Sequence, residues 1–194
     1  MWMLVRKLKL NMSKTQFIVF SPRNKIDSIE EQFGVITIGN VVIKPVRKVK
    51  YLGVHLDSYM EYSDHISEVI KKCNYALFNL KNVKQYVSRE TLKTLVRTLV
   101  VSHIDYCNAI FIGITKTQEK RLHTMLNKCV RFIYSIKISM KILISPLMQG
   151  LHWLPFEKRI KFKICVLVHI SLKYKKPKYL NEFFFHSEIF LPLS

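Results

Sequence analysis

Apolar positions along this chain change their spacing near residue 60. Before that point they fall in short runs rich in β-branched residues: Phe17 to Phe20, Val35-Ile36-Thr37-Ile38 and Val41-Val42-Ile43. Such runs, bounded by turn residues, read as strands. Ser21-Pro22 ends the first run, and Gly39-Asn40 separates the other two. A two-residue Gly-Asn loop between β-branched arms predicts a hairpin, because Gly takes the positive φ such loops demand. Pro45 ends its second arm, and Val49 to Leu56 predicts a further strand.

From Ser63 onward the period lengthens to about 3.6. Ile66, Val69, Ile70, Cys73, Leu77 and Leu80 share one helix face, with Ser63 or Asp64 as its cap. Ser88 opens a second helix carrying Leu92, Leu95, Val96 and Leu99. Leu122, Met125, Leu126, Cys129 and Ile133 mark a third. A fourth follows Trp153-Leu154-Pro155, with Pro155 at its first position, and bears Ile160, Ile164, Leu167 and Val168. Residues 164–170 are apolar nearly all round, which predicts burial. The expected class is α+β: a small β-rich N-terminal piece followed by a mainly helical region.

Composition adds a partner class. Lys and Arg number 32 against 13 Asp and Glu, a formal net charge of +19. That excess favours polyanions, nucleic acid first and an anionic membrane second. Hydrophobic residues make up 49%, which excludes a disordered chain. No apolar run approaches the roughly 18 residues a membrane span needs. The longest candidate, Leu99 to Ile114, is interrupted by His103, Asp105 and Asn108. Met1 to Leu10 is cut by Arg6, Lys7 and Lys9 and lacks the order of a signal peptide. The four cysteines, 73, 107, 129 and 165, form no metal-ligand spacing. Cys73, Cys129 and Cys165 lie in helical apolar patterns and are expected as reduced core thiols, which suits an intracellular, nuclear or cytoplasmic, setting.

Several segments then carry a resemblance in order along the chain. Asn11-Met12-Ser13-Lys14-Thr15 enters the first strand, and Lys50-Tyr51-Leu52-Gly53-Val54 follows. His103-Ile104-Asp105-Tyr106-Cys107-Asn108-Ala109 comes next, then Lys120 to Ile133. Leu151-His152-Trp153-Leu154-Pro155-Phe156-Glu157-Lys158-Arg159-Ile160-Lys161-Phe162-Lys163 is the strongest, and Pro177-Lys178-Tyr179-Leu180 closes the series. Over roughly residues 8–181 the chain resembles the end of the palm, the thumb and the following helical region of LINE-type, non-LTR retrotransposon reverse transcriptases. Ordered agreement of several motifs is more specific than any one of them.

The resemblance implies three parts. Residues 1–60 would be a palm-end remnant with a primer-grip-like strand at Tyr51, Leu52, Gly53 and Val54. Residues 61–181 would be a thumb and post-thumb region, and 182–194 an apolar tail at a truncated end. It also implies a polymerase half lying upstream, an RNA or RNA/DNA duplex as partner, and magnesium as the cofactor of the intact enzyme. In that enzyme Lys14 would lie near the nucleotide phosphates. The residues themselves carry no Tyr/Phe-x-Asp-Asp, and two-metal phosphoryl transfer needs a close carboxylate pair. No catalytic residue, metal ligand or cofactor is therefore expected in this chain.

Read on their own, the same residues also fit plainer roles. Lys14 fits a solvated lysine at a strand start, and Gly53 a bulge or close contact. Asp57 and Asp64 fit turn and capping positions, and Asp105 an acceptor in an apolar region. Basic residues recur at Lys71, Lys72, Lys81, Lys84, Arg89, Lys93, Arg97 and Lys116. Lys120, Arg121, Lys128 and Arg131 are the candidates for phosphate contact. Two alternatives stay open: a stand-alone basic helical nucleic-acid-binding protein derived from such an element, and a basic protein at an anionic membrane surface.

Overall fold

The computed structural model describes residues 6–186 except 8 and 138. The expected tail beyond His186 and the first five residues lie outside the described part. The fold is mixed α+β and mostly helical, with two small antiparallel sheets. It divides into two compact units, one ending at Ser67 and one beginning at Glu68.

In the first unit, α1 spans Ile26–Phe33. The β-based reading of this region has no helix here, although Ile26, Ile29 and Phe33 stand at i, i+3 and i+7. Gly34, at φ 52°, stops it and donates its amide to the Glu30 carbonyl. Strands β1 (Ile36–Ile38) and β2 (Val41–Ile43) pair across Gly39-Asn40, as the Gly-Asn loop predicts. The expected strand at Phe17 to Phe20 does not form. Phe17 makes a single bridge to Pro45, and a proline without an amide hydrogen cannot extend a ladder.

The expected single strand from Val49 to Leu56 is instead a second hairpin. Strands β3 (Lys48–Tyr51) and β4 (Val54–Asp57) pair antiparallel, with Tyr51 opposite Val54. Leu52 at φ 46° and Gly53 at φ 86° make the turn between them. Two consecutive positive φ values match the right-handed twist of the arms. The apolar run Tyr51-Leu52-Gly53-Val54 continues through this turn with no polar turn residue in it, so the pattern alone reads as one strand. Ile26, Ile43, Val54, Tyr62 and Ile66 are the buried apolar side chains among the described residues of this unit, joined by Ser21, Ser58 and His65.

Helix α2 (Ser63–Val83) turns its Val69, Cys73, Leu77 and Leu80 face inward. Helix α3 (Arg89–Val96) is capped by Ser88, whose hydroxyl accepts from the Thr91 amide at 3.1 Å. It continues through one π turn, Arg97–Val101, into α4 (Ser102–Asp105). Helix α5 (Lys116–Ile133) starts at a capping box: Thr115 and Gln118 each bond the other's amide. Its Leu122, Met125, Leu126, Cys129, Val130 and Ile133 are buried.

Helix α6 (Ser145–Gly150) ends in a tight reversal. The Trp153 amide donates to the Met148 carbonyl at 2.9 Å, and the His152 amide to Gln149 at 2.8 Å. This is the paired bonding of a Schellman motif, with His152 at φ 56° where glycine is usual. The reversal tucks Trp153 into the core. Pro155 takes the cap position of α7 (Phe156–Tyr174), one residue ahead of its expected place. Helix α8 (Lys178–His186) packs on α7.

Two burial expectations need correction. Along α7 the buried residues are Phe156, Ile160 and Ser171, whereas Cys165, Leu167 and Ile170 are exposed. The core grips α7 mainly at its first turns, where Phe156 meets Phe111 with ring centroids 6.2 Å apart. A helix apolar all round then presents more surface than its neighbours cover. For the same reason Cys165 is an exposed thiol, unlike Cys73 and Cys129.

Candidate nucleic-acid interface

Helix α5 sorts its residues by chemistry around its axis. At about 100° per residue, Lys120, Arg121, Lys128 and Arg131 fall within one arc of about 100°, opposite the buried arc. Lys120, Arg121 and Lys128 are exposed, and Arg131 is half-buried. Their roles diverge. Arg131 donates from Nη1 to the carbonyls of Lys137 and Met140, both at 3.1 Å, and so closes the loop after the helix. Lys128 donates to Asn74 Oδ1 on α2. Lys120 meets no described partner side chain.

The C-terminal end of α5 is braced by another cation. Lys84 donates to the Phe132 carbonyl, with its ammonium 4.5 Å from that residue's ring centroid. A cation suits the negative end of a helix, while burial pushes the Lys84 ammonium below its ordinary value. This lysine therefore fastens α2 to α5.

The three aspartates singled out in the sequence, of four in the chain, all act on the protein itself. Asp57 accepts from the amides of Tyr59 and Glu61 through Oδ1, and from Tyr62 through Oδ2, at 3.0, 3.1 and 2.8 Å. It thus shapes the turn into α2. Asp64 pairs with Lys48, whose bond and charge hold its carboxyl below the usual range. Asp105 accepts from Arg159 Nη1 at 2.9 and 2.7 Å, across 54 residues of sequence. Arg159 Nε also donates to the Leu154 carbonyl at 2.8 Å, and its guanidinium lies 5.8 Å from the Trp153 ring.

That pairing joins the His103–Ala109 segment to the Leu151–Lys163 segment, and gives Arg159 and Trp153 positions that sequence spacing left unassigned. Its sequence signal is slight: a lone Asp in an apolar stretch and an Arg after Trp-Leu-Pro. Among the described residues no group of three His, Cys, Asp or Glu is placed to hold a metal. Asp57, Asp64 and Asp105 do not fit a two-metal centre, because each is engaged elsewhere in the fold.

Two candidates lie in the first unit. Asn11 organises the turn Met12–Lys14: its Oδ1 accepts from Ser13 Oγ at 2.7 Å and from the Lys14 amide at 3.3 Å. Its carbonyl accepts from Thr15 Oγ1 at 2.9 Å. An Asn starting a self-bonded turn is the local chemistry behind Asn-x-x-Lys-Thr. Lys14 itself is exposed. Tyr51 and Leu52 form an exposed hairpin tip, Leu52 at 73%, while Val54 points into the core. Lys14 and this tip belong to the first unit, and α5 to the second.

No family model, curated protein or solved structure matches this chain. No described helix is long and apolar enough to cross a membrane.

Proposed function

We propose that this chain is reverse-transcriptase-like, of the LINE type, and that these residues bind nucleic acid without polymerising it. The observation that carries the reading is the basic arc of α5 standing opposite its buried arc, in a chain of net charge +19. A helix so divided presents cations to phosphates while its other face anchors it. The Asp105–Arg159 bond adds support, since it couples two of the segments that carry the resemblance. Lys14 and the Tyr51-Leu52-Gly53-Val54 tip retain the phosphate-proximal and primer-grip roles as proposals within a larger polymerase. Magnesium would belong to that larger enzyme. Silence in catalysis is expected because this chain carries no Tyr/Phe-x-Asp-Asp and so lacks the close carboxylate pair of two-metal phosphoryl transfer.

The test is a salt titration. Log affinity for an RNA/DNA duplex should fall linearly with log salt, because bound phosphates release counterions. Replacing Lys120, Arg121 and Lys128 with Gln should reduce that slope by about 2.7, at about 0.9 per phosphate contact. Arg131 is left in place because it holds a loop. Duplex binding that ignores salt, or a triple variant with the parental slope, would refute the interface. Tighter binding to anionic vesicles than to duplex at equal salt would favour the membrane reading, for which exposed Phe162, Leu167 and Ile170 on α7 speak.

A further inference from the structure

One cavity in the helical unit lies away from the α5 basic arc. Its volume is about 490 Å³, and α3, the π turn, α4, the loop after α6 and α7 all contribute to its wall. Two basic pairs line it, Lys93 with Arg97 and Arg159 with Lys163. Both pairs stand at i and i+4, which brings side chains of one helix face together. Asp105 is the carboxylate in the wall, and it is engaged with Arg159. Four cations less one carboxylate leave three positive charges in excess.

Those three are poorly neutralised. Arg97 and Lys163 are exposed and meet no described ion-pair partner. Lys93 faces Glu90 at 3.8 Å, and that glutamate is itself largely in solvent. Three like charges around one cavity repel one another, and an anion relieves them. Arg97 also begins the π turn, and such turns recur where a helix is reshaped around a functional group.

The remaining wall is amphipathic. Phe162 lines the cavity and is 61% exposed, while Trp153 closes it from the core side beneath the Arg159 guanidinium. Asn108 forms part of the floor, donates to Asp105 at 3.4 Å, and its buried Oδ1 lacks a donor. A volume of this size is that of a small-ligand pocket and has room for about one nucleotide. Cations beside an exposed aromatic ring are the pairing that holds single strands: charge for the backbone, a ring face for the base.

We propose that this cavity is a single-strand site, in which Arg97, Lys163 and Lys93 hold one stretch of phosphate backbone and Phe162 stacks on a base. The site rests on the nucleic-acid reading above but is separate from the α5 arc. The two surfaces divide the labour: α5 meets duplex, and the cavity holds an unpaired strand beside it.

The experiment uses the full chain, a labelled oligouridylate and an RNA/DNA duplex of equal length, each titrated across salt. The Arg97→Gln/Lys163→Gln variant should lose at least about tenfold in oligouridylate affinity at low salt, and its salt slope should flatten by about 1.4, at about 0.7 per single-strand contact. Its duplex affinity should stay within about twofold, and Arg97→Lys/Lys163→Arg should restore the slope. Phe162→Ala should weaken oligouridylate about fivefold with the slope unchanged, as expected for lost stacking. Photo-crosslinking of a thiouridine-substituted oligomer to the parental chain provides a readout independent of variant folding, and should label the α7 peptide containing Phe162. If the parental chain binds oligouridylate but the double variant keeps both affinity and slope, or the crosslink falls outside the segments that line the cavity, the cavity proposal is overturned and the nucleic-acid reading stands. If the parental chain binds neither oligomer at low salt, both are overturned.

Discussion

The β1–β2 hairpin and helix α5 are both built on regular apolar spacing, and they end in opposite states. On α5, Leu122, Leu126, Cys129 and Val130 are fully buried. On the hairpin, Ile36, Ile38, Val41 and Val42 are exposed, Val42 at 56%, and only Ile43 is covered. An amphipathic helix needs one apolar surface to pack on, and α3 and α7 supply it. A two-stranded hairpin needs a further strand or a covering layer, and is marginal without one. Regular spacing therefore specifies an element, whereas its stability depends on what the fold lays against it.

The widest separation should appear on truncating one residue from each region. Leu126→Ala opens a cavity in a closed core and should cost about 3–4 kcal/mol. Val42→Ala should cost no more than about 0.5 kcal/mol, because little apolar surface is lost to water. Urea unfolding of the two variants measures both. Comparable losses would mean that the hairpin is covered in solution and would erase the contrast.

Asp105→Ala tests whether the helical unit is held by polar as well as apolar contacts. Removing the carboxylate leaves the largely buried Arg159 guanidinium without its counter-charge. A loss of about 1–2 kcal/mol is expected, less than for a fully buried pair because the Asp105 side chain is 39% exposed. Asp105→Asn, which keeps one acceptor, should lose less. A neutral outcome for both would make the link between the two segments incidental.

The thiols sharpen the comparison within the helical unit. Burial pushes Cys73 and Cys129 up to about 12 from an ordinary 9.0. Both folded-state values lie above their unfolded ones. Their contribution is therefore complete below pH 9 and is lost as pH rises toward 12, since the unfolded chain ionises first. Between those values each thiol should remove about 1.4 kcal/mol per pH unit. A Cys73→Ala/Cys129→Ala variant should show a correspondingly flatter alkaline decline. Under native conditions a thiol reagent should modify Cys107 and Cys165, which are exposed, well before the other two.

The smallest effect concerns the turn after α6. His152 holds φ 56°, a region that costs a side chain about 1–2 kcal/mol and glycine nothing. Glycine's greater freedom when unfolded offsets part of this. His152→Gly should therefore raise stability by about 0.5 kcal/mol, read as a small increase in the urea midpoint. A loss would mean that the imidazole makes a compensating contact at the cavity rim.

Much of this was legible along the chain. The Ser88 cap, the α5 face and the Gly39-Asn40 hairpin follow from local rules, because capping and amphipathic periodicity act over a few residues. The β3–β4 turn was hidden because Leu52-Gly53 does not interrupt the apolar run from Tyr51 to Val54; the shift of apolar positions from odd to even there was its one local trace. The basic residues of α5 were visible as charges, yet Arg131 as a loop clasp was not, since its carbonyl partners follow the helix in an irregular segment.

The amino-acid sequence by itself determined the net charge of +19, the lack of a Tyr/Phe-x-Asp-Asp motif, and the change from strand to helix period, since charge, motif and periodicity are properties of the chain. Tertiary structure alone decided which apolar faces are covered, that Asp105 belongs to Arg159 across 54 residues, and that Arg97 and Lys163 line one cavity. Each of these depends on distances between elements remote in sequence. Such distances are set by how whole helices pack, and no local spacing encodes them.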